Sequence, residues 1–126
     1  MPLINYGKQS IDHNDIKNVQ KILKSDFLTQ GPMVEKFESG LKKKLNSNYC
    51  TVVSSGTAAL HLLSLALGWK KNDIILTTPL SFVATSNCIL YSGASPIFVD
   101  IDENTGNICP IKLEKKIKKL KKNKKK

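Results

Sequence analysis

Apolar residues recur at helical spacing in the first third of the chain. Within residues 12–23 they stand at positions 16, 19, 22 and 23, and Asp12 is a suitable helix N-cap. After a turn at Gly31, apolar residues return within residues 34–45 at every third or fourth position. The pattern predicts two amphipathic helices over these two ranges.

The middle of the chain alternates short β-branched runs with apolar helical runs. The predicted elements are a strand at 49–53, a helix at 57–67, a strand at 73–78, a helix at 82–91 capped by Ser81, and a strand at 96–101. This order predicts an α/β fold, in which helices flank a parallel sheet and begin at its carboxyl edge. The helix at 57–67 is apolar almost all round, so we expect it to need cover on both sides.

The junction before that apolar helix has the composition of a phosphate site. Residues 54–58 read Ser-Ser-Gly-Thr-Ala. Gly56 allows a ligand to approach the backbone, and the amides of Thr57 and Ala58 stand at a helix N-terminus, which favours an anion. Alternatively, Ser55 or Thr57 is only a helix cap. The spacing alone leaves both interpretations open.

An aromatic ring follows the second predicted strand at the same edge of the sheet. This ring belongs to Phe82. A flat ring beside a phosphate site suits a planar phosphorylated cofactor, and stacking contributes about 0.5–1.5 kcal/mol beyond burial. Packing of Phe82 in the core is the alternative.

Positive charge is concentrated at the C-terminal end. Residues 112–126 carry ten of the twenty lysines and one acid, Glu114, so they supply +9 of the net charge of +10. The remaining residues, 1–111, carry only +1, and we expect no nucleic-acid partner. A small basic nucleic-acid-binding protein remains the alternative, because a lysine run can bind phosphate backbones.

Other sequence signals are weak. No apolar run reaches the roughly 20 residues of a membrane span, and Met1 to Lys8 lack a secretory pattern, so we expect no membrane partner and a cytoplasmic location. The three cysteines have no ligand spacing. We expect reduced thiols in which Cys50 and Cys88 pack in the interior, and we assign no metal site.

Five motifs occur in an order that is characteristic of one family. They lie at residues 5–11, 28–32, 54–61, 77–87 and 98–102. Together they resemble the DegT/DnrJ/StrS-type sugar aminotransferases, over residues 3 to about 108. That resemblance implies the type I, aspartate aminotransferase-like fold and the cofactor pyridoxal 5′-phosphate. Residues 1–111 would then be the N-terminal portion of the large domain, followed by a Lys-rich, helical-to-disordered tail at 112–126.

The resemblance also implies roles for individual residues. Those implied to hold the cofactor are Gly56, Thr57 and Ala58 at the phosphate and Phe82 on the pyridine ring. Those implied to line the sugar-nucleotide site are Tyr6, Asp26, Phe27, Leu28, Thr29 and Gly56.

Within the family, the motifs are most similar to the pseudaminic acid branch. Its enzyme acts as a homodimer and moves an amino group from glutamate to a 4-keto-6-deoxy UDP-sugar. The Schiff-base lysine of the family lies beyond Lys126, so we assign no catalytic residue and expect the chain to be inactive, and prone to aggregate, alone. The alternatives are another sugar or regiochemistry, and a regulatory fragment that pairs with a longer homologue.

Overall fold

The computed structural model describes residues 7–123. This part of the chain forms two compact units, one ending at Val52 and the other beginning at Val53. The predicted division at residues 111 and 112 rests on composition and stays a prediction.

The first unit contains two helices, α1 (His13–Leu23) and α2 (Pro32–Leu45). Asp12 begins α1 through a capping box, in which its carboxylate accepts the Asp15 amide and the Asp15 carboxylate accepts the Asp12 amide. Both predicted helices are thus confirmed, and α2 begins two residues earlier than expected because Pro32 occupies its first turn.

The second unit contains the other five elements. In chain order they are α3 (Gly56–Ala66), β1 (Ile74–Thr77), α4 (Ala84–Tyr91), β2 (Ser95–Phe98) and α5 (Pro110–Asn123). The two strands are parallel, with Ile74 opposite Ser95 and Thr77 opposite Phe98. The Val99 amide extends the ladder by donating to the Thr77 carbonyl at 2.8 Å. Their carboxyl ends therefore share one edge of the sheet, as predicted.

Left-handed glycines mark two of the turns between these elements. Gly68 follows α3 with φ of +70°, and Gly93 follows α4 with φ of +83°. L-residues with a Cβ rarely adopt this conformation, so these glycines end the two helices and turn the chain onward.

The predicted strand at 49–53 is wrong for the residues described. A strand needs a neighbouring strand, and none runs beside this segment within residues 7–123. The Val52 amide instead donates to the Glu38 carboxylate at 2.8 Å. The sheet there has two strands and not three.

The predicted start of the second crossover helix is also wrong. α4 begins at Ala84, and Ser81 does not cap it. The Ser81 hydroxyl is paired with the Thr85 hydroxyl at 2.8 Å, and no side chain accepts an amide at the start of α4. The first turn is also tight, since the Thr85 amide donates to the carbonyl of Phe82, only three residues back.

The core of the second unit lies between α3, α4 and the sheet. Buried Cys88, Ile89 and Ala94 form its centre, and three half-buried residues pack against it, namely Leu60, Trp69 and Ile75. The structure confirms that Cys88 is buried, whereas Cys50 is half-buried.

The apolar helix α3 is covered on one face only. Ser64 is its one buried residue, whereas the side chains of Leu62, Leu63 and Leu65 are about half exposed. The expectation of cover on both sides is therefore not met within residues 7–123. None of the helices in that range is long and apolar enough to cross a membrane.

Candidate functional site

The phosphate site predicted at residues 54–58 is a capped helix N-terminus. Ser55 has extended backbone, with φ of −162° and ψ of 162°, and it is the N-cap of α3. Its hydroxyl accepts the Ala58 amide at 3.1 Å, and its carbonyl accepts the Ala59 amide at 3.0 Å. The cap interpretation of Ser55 is therefore correct, and it accounts for one of the first amides of the helix.

Two amides at the same helix end remain available. The N–H groups of Gly56 and Thr57 donate to no acceptor within residues 7–123. Both residues are exposed, and a Cβ placed on Gly56 would have no neighbour within 4 Å. Open space, two unpaired donors and the positive end of the helix dipole are the features that the predicted phosphate site requires.

The Ala58 amide is not free, contrary to the expectation for that residue. It would reach an anion only if the Ser55 hydroxyl rotated away. The amides that are free to bind an anion are thus those of Gly56 and Thr57, one residue closer to the N-terminus than the predicted pair of Thr57 and Ala58. The Thr57 hydroxyl is a third potential donor.

Phe82 lies on the loop that follows β1. The residue is 72% exposed, so the alternative that it fills the core does not hold within the described structure. An exposed ring at the carboxyl edge of a parallel sheet is available for stacking. The structure therefore leaves Phe82 in a position compatible with the predicted role.

Part of the predicted sugar-nucleotide site lies in a groove of the first unit. Asp26 and Phe27 line this groove, whose volume is about 410 Å³, together with residues of α1 and α2. Phe27 is 61% exposed, while Leu28 and Thr29 are exposed beside the groove and do not line it. Tyr6 lies outside the described residues.

The turn that carries Phe27 is tightly built. The Ser25 hydroxyl donates to the Ile22 carbonyl at 2.7 Å, which holds the turn against the end of α1. A Cβ added to Gly31 would lie 2.6 Å from the Phe27 Cβ, so only glycine permits this approach. This turn therefore requires glycine at position 31, where the sequence showed only a turn signal.

An ion pair lies at the carboxyl end of β2. Lys112 Nζ donates to Asp100 Oδ2 at 2.7 Å and to the Ile101 carbonyl at 3.2 Å. The hydrogen bond from Lys112 lowers the pKa of Asp100, with help from the Ile101 amide, and the same bond raises the pKa of Lys112. The first lysine of the basic segment is thus tied to the sheet edge.

Sequence reasoning missed Glu38. Its contact with the Val52 amide joins residues fourteen positions apart. A backbone amide carries no side-chain signature, and Glu38 reads as one more polar residue of an amphipathic helix. No pattern in the sequence could have paired them.

Comparison with known proteins identifies the family. Residues 9–123 match the profile of the DegT/DnrJ/EryC1/StrS aminotransferase family, which is most of the chain. The chain belongs to this family. The predicted family is therefore confirmed.

One curated relative of this family member is the UDP-4-amino-4,6-dideoxy-N-acetyl-beta-L-altrosamine transaminase of Campylobacter jejuni. The two are 44% identical over 115 residues, which cover 91% of this chain and 30% of the relative. The chain thus spans about 30% of the length of the curated relatives it matches.

Two solved structures resemble this family member. One is Helicobacter pylori PseC, an aminotransferase of pseudoaminic acid biosynthesis, at 40% identity and a TM-score of 0.82, covering 88% of this chain and 30% of PseC. The other is Spr1654 from Streptococcus pneumoniae in its PLP form, at 27% identity and a TM-score of 0.82, covering 89% of this chain and 29% of Spr1654. The predicted α/β fold, as part of an aminotransferase, is confirmed.

Proposed function

We propose that this chain supplies the cofactor-phosphate site of a sugar-nucleotide aminotransferase that uses pyridoxal 5′-phosphate. The observation that carries the proposal is the pair of unpaired amides of Gly56 and Thr57 at the open N-terminus of α3. Family membership supports the reaction type, and the PLP form of Spr1654 supports the cofactor.

The residues at this site fit a phosphate monoester. The amides of Gly56 and Thr57 and the Thr57 hydroxyl provide three donors directed by one helix end. Ala58 would add a fourth after the Ser55 hydroxyl rotates. When bound, the cofactor supplies an electron sink for amino-group transfer, and Phe82 would stack on its pyridine ring.

We propose that the whole protein moves an amino group from glutamate to a 4-keto-6-deoxy UDP-sugar. The carbonyl at C4 of the sugar would become an amine, and glutamate would become 2-oxoglutarate. The names of the Campylobacter jejuni relative and of PseC support this substrate class. Under this proposal the sugar-nucleotide residues remain Tyr6, Asp26, Phe27, Leu28, Thr29 and Gly56.

A homodimer belongs to the same proposal because the family resemblance implies it, and so does the cytoplasmic location that the sequence predicts. Another sugar or another regiochemistry within the family is the competing proposal. The endogenous protein, isolated from its source cells, distinguishes them when it is assayed for 2-oxoglutarate with glutamate and a panel of 3-keto and 4-keto nucleotide sugars. Release with the 4-keto UDP-sugar alone supports our assignment, and release with another member of the panel refutes it.

The cofactor site is tested with the chain itself and pyridoxamine 5′-phosphate. This probe has no aldehyde, so it does not react with the many lysines. We expect Thr57→Val to weaken its binding by about 1–3 kcal/mol, or roughly 5- to 150-fold, because one phosphate donor is lost.

Two controls accompany that measurement. Thr51→Val makes the same chemical change at an exposed position that forms no side-chain hydrogen bond in the part of the chain described. Pyridoxamine without the phosphate should bind weakly and equally to all variants. Equal affinity of the Thr57→Val variant and the unaltered chain for the phosphorylated probe would contradict the site.

A further inference from the structure

Glu38 stands apart from its neighbours on α2. It is half-buried, whereas residues 32–37 and 39–40 are exposed. Its Oε1 atom accepts the Val52 amide at 2.8 Å. The half-buried Glu38 carboxylate therefore has one specific partner, the backbone amide of Val52.

That amide belongs to a segment with little other support. Residues 49–53 lie beside no strand within residues 7–123, so the ladder bonds of a sheet do not hold them. A partly buried N–H needs an acceptor, and a carboxylate is a stronger one than a neutral carbonyl. Glu38 therefore takes the place of a strand partner at Val52.

Val52 lies three residues before the N-cap of α3. Ser55 must adopt its extended conformation for its hydroxyl to reach the Ala58 amide and leave those of Gly56 and Thr57 free. Holding the amide of Val52 restricts the backbone that leads into Ser55. The bond itself ends at Val52, so an effect of Glu38 on Ser55 passes along the backbone of residues 53 and 54.

We propose that Glu38 is a positioning residue for the phosphate site at residues 54–58. It touches no ligand and acts through the Val52 amide. The expected effect of Glu38 on cofactor binding rests on the proposed cofactor function. Its effect on the backbone is independent of that function.

The test compares Glu38→Ala and Glu38→Gln with a matched control, Glu35→Ala. Glutamine keeps an oxygen acceptor and the side-chain length. Glu35 is an exposed acid on the same helix that forms no hydrogen bond among the described residues. Each variant is titrated with pyridoxamine 5′-phosphate, and amide hydrogen exchange is followed at Val52, Ala58 and Ala59.

We expect Glu38→Ala to weaken binding about tenfold and to speed exchange at all three amides. Glu38→Gln should keep most of the binding affinity and most of the protection from exchange, and Glu35→Ala should change neither the affinity nor the exchange rates. In a double variant, Thr57→Val should reduce the affinity for pyridoxamine 5′-phosphate less in the Glu38→Ala background than in the unaltered chain, because the two substitutions act on one site.

Some results would overturn the proposal. If Glu38→Ala speeds exchange at Val52 but leaves Ala58, Ala59 and the affinity unchanged, Glu38 only secures the local fold. If Glu38→Ala unfolds the chain, amide exchange in the folded Glu38→Gln variant decides, because a neutral oxygen is a weaker acceptor than a carboxylate. Faster exchange at Val52, Ala58 and Ala59 together supports the inference, and faster exchange at Val52 alone refutes it. If the unaltered chain binds no phosphorylated probe, the cofactor proposal fails separately, and exchange at Ala58 and Ala59 alone decides the role of Glu38.

Discussion

Two adjacent residues of α4 offer a direct test of where the second unit is stabilised. Ile89 is 2% exposed and sits at the centre of the core, whereas Leu90 is 55% exposed. The two side chains contain the same atoms and differ in branching. Replacing each with alanine removes three carbons from the same helix, so the difference between the two variants reports burial.

The magnitudes follow from these environments. Ile89→Ala removes transfer free energy and leaves a cavity, which costs about 2–5 kcal/mol, and Ile89→Val costs about 0.5–1.5 kcal/mol. Leu90→Ala loses only the buried half of its side chain, or roughly 1 kcal/mol. A domain of this size has a free energy of unfolding of roughly 4–10 kcal/mol, so Ile89→Ala removes a large part of it.

The chain contains its own probe for this measurement. Trp69 is the single tryptophan, and it packs against the cluster that contains Ile89. Its fluorescence during urea unfolding therefore reports this core directly. We expect both variants to have a lower urea midpoint than the unaltered chain, with the lower of the two for Ile89→Ala. The slope of the unfolding free energy against urea concentration should be unchanged.

Equal midpoints for the two alanine variants would refute the assignment of this core. The valine variant guards against a chain too unstable to fold, because its smaller loss keeps the transition measurable. A midpoint for Ile89→Val equal to that of the unaltered chain would contradict the tight packing of Ile89 in the core.

Two further predictions concern charged side chains. Asp12→Ala removes the acceptor of the Asn14 amide at 2.7 Å and should destabilise α1 by about 0.5–2 kcal/mol, which lowers the ellipticity at 222 nm. Asp12→Asn should retain most of the helical ellipticity. An unchanged melting curve for the alanine variant would rule out the cap. The pKa of Asp100 is lowered from 3.8, so its bond with Lys112 stabilises the fold above that pH and is lost as the pH falls through the lowered pKa. The pKa of Lys112 is raised from 10.5, so at the alkaline end the contribution is lost as the pH rises through the raised value. An NMR titration of the Asp100 carboxyl in Lys112→Ala should show its pKa moving back up toward 3.8, and no movement would contradict the pairing.

The sequence predicted the helices better than the strands, for a physical reason. A helix forms its hydrogen bonds within itself, so the apolar residues at helical spacing within 12–23 and the Asp12 cap were sufficient to predict α1. A strand depends on a neighbouring strand, and that neighbour can come from any part of the chain. The run at 49–53 has strand composition but no partner among the residues described.

The same distinction applies to the candidate site. Residue types at 54–58 predicted a helix N-terminus with open amides, and that is present. Which amides are open was not predictable, because Ser55 caps Ala58 through a side-chain rotamer that composition does not fix. Glu38 depended on a contact between distant positions, which no local pattern records.

The boundary between Val52 and Val53 has an evolutionary consequence. Under the proposed function, the groove with Asp26 and Phe27 belongs to one compact unit, and Gly56 and Thr57 belong to the other. Substitutions at Asp26 and Phe27 that change which sugar is accepted can therefore accumulate in the first unit while Glu38, Gly56 and Thr57 are kept. A lineage built this way can diversify its substrates while its chemistry stays constant.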